Sequence, residues 1–372
     1  VMNILILGGS GILSTDFTKK VIDERNNVWI LNRGRRTAFI DKRANLLIAD
    51  LRNESVENII KKLPENQFDV VVDYLSYDVK QLKKTLRILS NRFHQYILIS
   101  SATAYIKKDG DIIREETHRV GNMNWSYSYN KSLCEDFIRK QGIKYTIIRP
   151  YVTYGKSRLP FQLIPDGYQY TLIERIKNDK PVVLLDNGKA ICTLTNTVDF
   201  ANILYSLLLN EKAYGEAFHI TSNYTQTWKH VYESYCRILN KAPKLISVDL
   251  KDIKKYMPEY YQILKGDKGT SWKFDNTKVL NAIGGYDFKI TLENGLKQSI
   301  EYFENNISMQ GVDYKWDAKI DYMIKKTSGT KGLKIIESTN PNSNSKANYY
   351  IIKTPILHDI YMFIWRMKHR NG

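Results

Sequence analysis

Cysteine is scarce in this chain and is not arranged in pairs. The 372 residues include three cysteines, Cys134, Cys192 and Cys236, which lie far apart. An odd, scattered set argues against a disulfide framework and against a metal site built from paired cysteines. We therefore expect no metal, and we expect the three thiols to be buried as small apolar side chains.

Long apolar runs and targeting features are also lacking. No stretch of about 18 uninterrupted apolar residues occurs, so no transmembrane helix is predicted. The first residues have no basic segment or cleavage site, and the apolar run of "NILILGG" ends in glycine after a few residues. These absences predict a cytoplasmic protein.

Basic residues outnumber acidic ones, with 56 Lys and Arg against 39 Asp and Glu, for a net charge of +17. Such an excess can attract nucleic acid, a membrane surface or a phosphorylated substrate. The chain is also rich in Lys, Asn, Ile and Tyr together, a bias that AT-rich coding produces without selection for anion binding. Charge alone therefore does not predict a nucleic-acid partner.

The first half alternates short β-rich runs with amphipathic stretches. The predicted strands are "NILILG", "VWILN", "NLLIAD", "FDVVVDYL", "YILISS" and "KYTIIRP", and the predicted helices cover 14–26, 54–63, 79–93 and 126–141. This rhythm indicates βαβ units, and continuous apolar runs fit strands covered by helices on both faces. We expect an α/β fold with a doubly wound parallel sheet.

Beyond Arg149 the alternation loosens, which predicts a second, smaller lobe of mixed α/β structure. The predicted division is a nucleotide-binding domain over 1–155 with 191–224 returning to it, a substrate-binding lobe over 156–190 and 225–326, and a tail. Residues 327–354 are rich in Ser, Asn and Gly and predict a flexible linker.

The tail ends in a predicted amphipathic helix over 355–372. Its apolar residues Ile356, Ile360, Phe363 and Met367 share one face, with Arg366, Lys368 and Arg370 near the end. Such a helix docks on the body or a partner subunit, or makes peripheral contact with an anionic membrane. The sequence leaves both alternatives open.

A glycine-rich turn joins the first predicted strand to the first helix. Gly8 and Gly11 stand where a diphosphate can approach the backbone and meet the N–H groups of the helix N-terminus. Ser14 occupies the place of a third, small residue that lets the helix pack on the sheet. The turn predicts dinucleotide binding by Gly8, Gly9, Ser10, Gly11, Ile12 and Leu13.

The next two strand ends predict how the adenosine half is held. The second strand ends in Asn32 and is followed by Arg33, Arg35 and Arg36, where NAD-binding proteins commonly carry an acidic residue. Without that carboxylate a 2′-phosphate can pair with Arg33, so the sequence favours NADP over NAD. Asp50 and Leu51, after the third strand, are predicted to contact adenine.

Tyr127 and Lys131 are four residues apart and so lie on one face of the predicted helix. An ammonium near a phenol stabilises the tyrosinate and lowers its pKa toward the range useful for proton transfer. The same spacing recurs at Tyr261–Lys265 and Tyr322–Lys326, so the spacing alone is weak. The first pair stands out because it lies between the strand "YILISS" and the strand ending in Arg149.

Ser101 follows a parallel strand at the sheet edge where ligands bind in such folds, and its hydroxyl can hold a substrate oxygen. Ser100 and Thr103 are rival candidates for this position.

Taken in order, these segments resemble the extended short-chain dehydrogenase/reductase family, in its NAD-dependent epimerase/dehydratase branch that acts on nucleotide sugars. The resemblance runs from Met2 to about Lys326 through "GGSGILS", "ADL", "SSATAY", "YSYNK", "RPYVTYG", "TNTVDFA", "FDNTKVLNAIGG" and "ITLENGLKQSIEYF". It implies a Rossmann-type fold, an NAD(P) cofactor and a nucleotide-sugar substrate. It also implies a homodimer built from helices like 79–93 and 126–141.

The resemblance assigns roles to individual residues. Tyr127 becomes the acid/base, Lys131 orients the nicotinamide ribose and Ser101 holds the substrate hydroxyl. Ser100 and Pro150 join the predicted cofactor contacts, and Thr103 is a candidate substrate contact.

Two departures narrow the reaction. Family dehydratases carry Thr-Asp-Glu where this chain has Ser101-Ala102-Thr103, so 4,6-dehydration is not expected. The arginine that grips the nucleotide diphosphate in many relatives is replaced by Cys192, and Lys189, Lys265 or Lys268 could substitute.

We therefore expect an epimerase or ketoreductase of sugar-nucleotide or surface-glycan metabolism. The alternative is a binding protein for RNA or another polyanion, because "NRG" and "DYKWDAKIDYMI" resemble a branch of the family in which some members associate with RNA.

Overall fold

The computed structural model describes residues 1–90, 92–106, 108–117, 119, 121–123 and 125–368. The strands are β1 (Asn3–Leu7), β2 (Asn27–Asn32), β3 (Asn45–Ile48), β4 (Phe68–Asp73), β5 (Phe93–Ile99), β6 (Ile112–Ile113), β7 (Tyr145–Ile148), β8 (Thr153–Tyr154), β9 (Val182–Leu185), β10 (Ile191–Thr193), β11 (Thr195–Asn196), β12 (Glu216–Phe218), β13 (Thr225–Thr227), β14 (Leu245–Val248) and β15 (Lys273–Phe274).

The α-helices alternate with these strands over the first part of the chain and dominate its last part. They are α1 (Ile12–Asp23), α2 (Val56–Ile60), α3 (Val79–Leu89), α4 (Ser126–Ile138), α5 (Tyr170–Lys177), α6 (Thr197–Tyr205), α7 (Trp228–Ile238), α8 (Leu250–Tyr256), α9 (Tyr261–Ile263), α10 (Thr277–Ile283), α11 (Leu292–Asn305), α12 (Tyr314–Ser328), α13 (Ala347–Lys353) and α14 (Pro355–Lys368).

The chain divides into two compact units. The first comprises residues 1–155, 193–225 and 272–291, and the second comprises 156–192, 226–271 and 292 onward. The return of residues near 191–224 to the first unit is close to the predicted division. The first unit also takes in 272–291, which the sequence-based division left in the second lobe.

A seven-stranded parallel sheet forms the centre of the first unit, in the order β12-β7-β5-β4-β1-β2-β3. The central strands are buried on both faces because their apolar runs are continuous. The predicted doubly wound parallel sheet is confirmed. The order of the strands along the chain reverses between β1 and β4. In such sheets, ligands bind at this switch point, beyond the carboxyl ends of the strands.

Each face of the sheet carries its own apolar core. On one face Phe17 of α1 and Phe200 of α6 pack on Ile4, Ile6 and other inward residues. On the other face Leu82 of α3 and Ile138 of α4 pack in the second cluster. Two helix layers around one sheet therefore leave the strand ends as the place for polar chemistry.

Residues 272–291 belong to the first unit for a specific reason. Val279 of α10 is fully buried in the same core cluster as Phe200. The Asp199 carboxylate, buried on α6, accepts hydrogen bonds from Tyr286 Oη (2.7 Å) and from the Lys289 amide (3.1 Å). The aspartate of "TNTVDF" thus fastens a distant segment to the unit, which a local sequence pattern does not reveal.

The second unit contains a short parallel pair of β9 with β14 and a mainly helical core. Leu163, Met257, Leu264, Trp316 and Met323 are among the buried apolar residues of that core.

Charged side chains are buried inside the second unit as well. The side chains of Arg175, Asp317 and Asp321 have no solvent exposure, and Lys180 is almost as buried. Arg175 Nη1 lies 2.9 Å from Asp321 Oδ1, and Lys180 Nζ lies 2.9 Å from Asp321 Oδ2. Both cations also pair with Asp317.

The segment predicted as a flexible linker instead packs on the second unit. Ile336, Tyr349 and Ile352 are buried in one cluster with Val312 and Tyr314. Tyr349 Oη also donates a hydrogen bond to Asp321 Oδ2 (2.6 Å). Its polar composition suggested a tether, but three apolar anchors hold it against the unit, together with hydrogen bonds from the Val312 and Tyr314 amides to Ser343 and Asn344.

The three cysteines are buried and unpaired, as predicted. Within the described ranges, no helix has both the length and the apolar character needed to cross a bilayer.

Candidate active site

The three glycines after β1 differ in whether the fold itself requires glycine at their positions. Gly8 and Gly9 have φ of +116° and +77°, and a Cβ on Gly9 would lie 2.4 Å from Cγ2 of Ile30. Gly11 has an extended backbone (φ −92°), and a Cβ there would meet only Ser14 Oγ at 3.5 Å, an ordinary contact. The fold therefore requires glycine at 8 and 9, whereas at Gly11 the protein leaves open space.

Ser14 has the small, buried position predicted for it. Its hydroxyl accepts a hydrogen bond from the Gly11 amide (3.0 Å) and lies 3.1 Å from the Gly11 carbonyl oxygen. These contacts fix the first turn of α1 directly behind the open space, so the helix N-terminus points at whatever occupies it.

A cavity of about 360 Å³ lies at the carboxyl ends of β1, β2, β3 and β4. The described residues lining it are Gly8, Ser10, Asn32, Arg33, Arg35, Arg36, Ala49, Asp50, Leu51, Arg52, Leu75, Tyr77 and Gln81. Six residues predicted to bind the cofactor are thereby brought together: Gly8, Ser10, Asn32, Arg33, Asp50 and Leu51.

Four other predicted cofactor contacts, Gly9, Ile12, Leu13 and Pro150, are not among the residues that line the cavity. Gly9 and Pro150 are buried, while Ile12 and Leu13 are half-buried at the start of α1. Leu13 packs against the apolar core of the sheet. Their assignment as cofactor contacts stays a prediction.

Asn32 links the glycine turn to the loop that carries Arg33, Arg35 and Arg36, called here the arginine loop. Its Nδ2 donates to the Gly8 carbonyl oxygen (2.8 Å), and its Oδ1 accepts from the Gly34 amide (2.8 Å). Both ends of the amide are thus used within the protein. The end of β2 presents no carboxylate to the cavity, and exposed Arg33, Arg35 and Arg36 line it instead.

Asp50 contributes a negative charge to the cavity lining. Its carboxylate accepts hydrogen bonds from the Arg52 amide (2.9 Å) and from Asn53 Nδ2 (2.9 Å). The hydrogen bond from the Arg52 amide is the main reason that the pKa of Asp50 lies below its usual value. The cavity lining therefore combines several arginines with one ionised acceptor.

Lys131 is almost completely buried on α4, with 2% of its surface exposed. Its Nζ donates to the carbonyl oxygens of Ser76 and Ile99, each at 2.8 Å. Burial lowers the pKa of Lys131, whereas the nearby Asp73 carboxylate acts in the opposite direction. Burial is the larger of the two effects, and the Asp73 carboxylate offsets part of it.

Tyr127 lies at the start of the same helix with its side chain accessible. Its ring centroid is 6.0 Å from Lys131 Nζ, and 36% of the residue is exposed. The ring lies between Trp125 at 5.8 Å and Tyr77 at 6.1 Å. The phenol predicted to be the acid/base therefore faces away from the apolar core.

Tyr77 was not identified from the sequence, and it connects the cavity to the Tyr127–Lys131 pair. It lines the cavity, and its ring centroid lies 4.8 Å from Lys131 Nζ and 5.7 Å from Arg52 Cζ. A signal was available, because Tyr77 follows β4, the strand beside β1 at the switch point.

The serine candidates after β5 have separate environments. Ser101 Oγ lies 2.8 Å from Thr103 Oγ1 and accepts from the Thr103 amide. Ser100 Oγ donates to Glu135 Oε1 at 2.6 Å in the interior. The structure thus places Ser101 and Thr103 in one hydroxyl pair, and Ser100 in a buried ionic network.

That network supports the helix carrying Tyr127 and Lys131. Arg149, at the end of β7, donates from Nε to Glu135 Oε1 (2.9 Å) and from Nη2 to Glu135 Oε2 (2.7 Å). Its Nη1 donates to Tyr105 Oη (2.7 Å). Glu135 follows Lys131 by four residues, a spacing that could have identified it as the anchor of the same helix face.

The predicted diphosphate-binding lysines lie in the second unit. Lys189 is exposed and 3.6 Å from Asp186, and the Lys265 ammonium lies 5.7 Å from the Tyr261 ring. Lys268 Nζ donates to the Phe161 carbonyl oxygen (2.8 Å), and burial lowers the pKa of Lys268 to about 8. Binding of substrate by Lys189 or Lys268 stays a prediction.

Curated relatives differ in what their names describe. The chain is 24% identical over 235 residues to the chloroplast stem-loop binding protein of 41 kDa b of Arabidopsis thaliana, covering 59% of this chain and 58% of that protein. It is 23% identical to the 2′-dehydrokanamycin reductase of Streptomyces kanamyceticus, covering 66% of this chain and 69% of the reductase. The dTDP-glucose 4,6-dehydratase of Haemophilus influenzae is 21% identical, covering 83% of this chain and 99% of the dehydratase.

Solved structures share the fold. The UDP-glucuronic acid 4-epimerase of Bacillus cereus, solved in complex with NAD, superimposes with a TM-score of 0.64 at 16% identity, covering 82% of this chain and 99% of the epimerase.

Residues 4–221 match the model of the NAD dependent epimerase/dehydratase family. This match covers more than half of the chain and includes the glycine turn, the arginine loop, Ser101, Tyr127, Lys131 and the Asp199 segment. The chain belongs to the NAD dependent epimerase/dehydratase family.

Proposed function

We propose that this protein is an NAD(P)-dependent epimerase or ketoreductase that acts on a sugar carbon of a nucleotide sugar. The main observation behind the proposal is that Tyr77 lines the cavity and also lies close to both Tyr127 and Lys131. It thereby connects the cavity to the candidate acid/base pair. The epimerase named in the structural comparison and the reductase among the curated relatives support this reaction class.

The cavity fits a dinucleotide. Open space over Gly11 and the N-terminus of α1 suit a diphosphate, which carries negative charge close to backbone N–H groups. Asp50 would accept from the adenine amine, and Arg33 with its neighbours would pair with a 2′-phosphate. When bound, the nicotinamide ring supplies hydride transfer.

The protein residues supply the accompanying proton transfer. Tyr127, as phenolate, takes the proton from a sugar hydroxyl as the carbon is oxidised, and returns it when a ketone is reduced. The Lys131 ammonium stabilises the phenolate, because opposite charge favours the ionised form. Ser101, paired with Thr103, donates a hydrogen bond to the reacting sugar oxygen.

Dehydration is outside this proposal although a dehydratase is among the relatives. Elimination of water needs a carboxyl acid close to the reacting carbon, and residues 101–103 offer Ser101, Ala102 and Thr103.

Replacement of the acid/base tests the proposal. Tyr127→Phe should lower turnover at least roughly a hundredfold by removing the ionisable oxygen, while the affinity for NADP stays the same. Tyr129→Phe, two residues along α4, is the matched control. Turnover is followed with UDP-glucose and UDP-glucuronic acid by chromatography of the products. Unchanged turnover in Tyr127→Phe would contradict the assignment.

The amount of cofactor consumed distinguishes an epimerase from a ketoreductase. An epimerase returns the hydride and consumes no cofactor, whereas a ketoreductase oxidises one NAD(P)H for each ketone reduced. Mass spectrometry of small molecules released by denaturing the purified protein identifies any copurified cofactor and sugar nucleotide.

The arginine loop supports NADP as the cofactor. Arg33→Ala should weaken NADP binding by roughly tenfold or more and leave NAD binding within about twofold, because NAD has no 2′-phosphate. Arg87→Ala, at an exposed position of α3, is the control. Equal weakening for both dinucleotides would contradict selection by Arg33.

RNA binding is a second candidate because the Arabidopsis relative is named a stem-loop binding protein and the chain is strongly basic. A gel-shift assay with a labelled RNA stem-loop tests it. Affinity should fall steeply as salt rises if lysines and arginines neutralise phosphates. Absence of a shift at low salt would dismiss this candidate.

A further inference from the structure

The helix α14 attaches to the second unit by one face and exposes apolar residues on the other. Met362 is 4% exposed, and the ammonium groups of Lys315 and Lys319 lie 4.8 and 5.1 Å from the Tyr361 ring. The exposed residues, called here the outward face, are Ile356, Ile360, Phe363, Ile364 and Met367. Their spacing of three or four residues puts them along one side of the helix.

This arrangement requires an explanation, because a helix that is apolar on opposite sides is normally covered on both. Phe363 and Ile356 expose 63% and 73% of their surfaces. A contiguous row of such residues marks a surface that contacts a partner or a membrane.

The outward face lies in a basic part of the sequence. Residues 325–372 contain nine lysines and arginines and two acidic residues, Glu337 and Asp359. Lys325, Lys326 and Lys368 are exposed. An apolar row beside clustered positive charge matches a surface that is apolar inside and anionic at its boundary.

A cleft of about 440 Å³ adjoins the outward face. Its lining includes Lys255 of α8, Lys326 of α12 and Phe363 of α14, together with Tyr256, Tyr322, Met362 and one acidic residue, Asp359. Lys255 Nζ lies 5.0 Å from the Tyr256 ring, and Lys326 Nζ lies 5.3 Å from the Tyr322 ring. The cleft lining thus carries two ammonium groups, each close to an aromatic ring, beside the apolar side chains of α14.

We propose that α14 binds the surface of an anionic bilayer, with the outward face inserted among the acyl chains and lipid phosphates held by Lys255 and Lys326. The helix has 14 residues, and spanning a bilayer takes about 20, so it lies in the plane of the surface. This interaction is independent of the cofactor chemistry proposed above.

A second copy of the chain fits the outward face less well. A twofold interface places the same patch on both subunits, so Lys326 and Lys368 of each copy would be brought toward those of the other. Like charges brought together oppose such pairing, whereas anionic lipid neutralises them.

Flotation of the full-length protein with phosphatidylcholine vesicles, with and without phosphatidylserine, tests the proposal. We expect binding only where phosphatidylserine is present. Ile360→Ser/Phe363→Ser should weaken binding by roughly tenfold or more through loss of inserted apolar area. Lys255→Gln/Lys326→Gln should weaken it by roughly twentyfold, or about fivefold for each charge.

Matched controls use residues outside the surface. Ile307→Ser removes an exposed apolar side chain near Glu174 and Glu337, and Lys212→Gln/Lys297→Gln removes two exposed lysines. Both should bind vesicles like the parent protein. Circular dichroism confirms that each variant is folded.

Three results would overturn the proposal. They are failure of the folded parent protein to bind anionic vesicles, equal binding to neutral vesicles, and equal loss of binding in the control variants. A Phe363-dependent dimer in sedimentation, without vesicle binding, would assign the outward face to a second copy instead.

Discussion

Both units of this molecule bury ion pairs, but the first unit also presents polar and charged residues at the open end of its sheet. In the first unit the sheet interior is apolar, and most groups suited to chemistry stand at strand ends, such as Asn32, Asp50 and Ser101. In the second unit Arg175 and Asp317 are buried at the centre of the packing. Buried ion pairs therefore serve stability in both units, whereas the polar residues at the strand ends of the first unit are also available to a ligand.

This difference separates the effects of substitutions. Changing a polar residue on the cavity wall of the first unit should alter binding and leave stability nearly unchanged. Removing a charge from the ion-pair cluster of the second unit should lower stability, because the remaining charges stay buried without their partners.

The largest expected effect is the loss of stability on removing a charge from the ion-pair cluster of the second unit. Arg175→Leu leaves Asp317 and Asp321 with Lys180 as their remaining buried cation, and should lower the free energy of unfolding by about 3–5 kcal/mol. Urea unfolding followed by circular dichroism measures the loss. Lys241→Gln, which breaks the exposed pair with Asp179, should cost about 0.5 kcal/mol or less. Equal effects of the two substitutions would refute the comparison.

The first unit contains a buried titratable group of its own, which allows a sharper test. The Glu115 side chain is 4% exposed, and its Oε1 accepts from the His219 amide at 3.2 Å. Burial raises the pKa of Glu115 from 4.5 to about 7. The folded state therefore keeps a proton that the unfolded state releases, and stability falls as pH rises through this interval.

Glu115→Gln removes this titration while keeping the side-chain acceptor. The variant should match the parent protein near pH 4.5 and exceed its unfolding free energy by about 3 kcal/mol at about pH 8. Burial lowers the pKa of His219 to about 4, so its contribution is lost toward acid pH in both proteins and cancels in the difference. A difference that does not change with pH would contradict this account.

Features set by local sequence patterns could be predicted from the sequence, whereas features set by contacts between distant residues could not. The parallel sheet was predictable because short continuous apolar runs alternate with amphipathic stretches, a pattern typical of strands covered by helices on both faces. The roles assigned to Gly8, Asp50, Tyr127 and Lys131 stay predictions. The packing of the predicted linker, 327–354, was missed because its contacts, such as that of Tyr349 with Asp321, join residues far apart in the sequence. Tyr77 was missed because no motif marks it, although its position after β4 does.

The smallest stability effect separates a glycine that the fold requires from one that a ligand requires. Gly9→Ala should cost about 1 kcal/mol or more, because alanine is strained at a φ of +77° and its Cβ would collide with buried Ile30. Gly11→Ala should change the unfolding free energy by no more than about 0.5 kcal/mol, since its backbone suits any residue and the space is open.

Ligand affinity should separate the same two variants in the reverse sense. A methyl group on Gly11 occupies the space proposed for the diphosphate and should weaken NADP binding by roughly tenfold or more, as isothermal titration calorimetry would measure. Gly9→Ala, once folded, should bind NADP more nearly like the parent protein, because its extra methyl group points toward Ile30. If Gly11→Ala bound NADP with parental affinity, the dinucleotide could not lie over the end of β1, and the cavity would need another ligand.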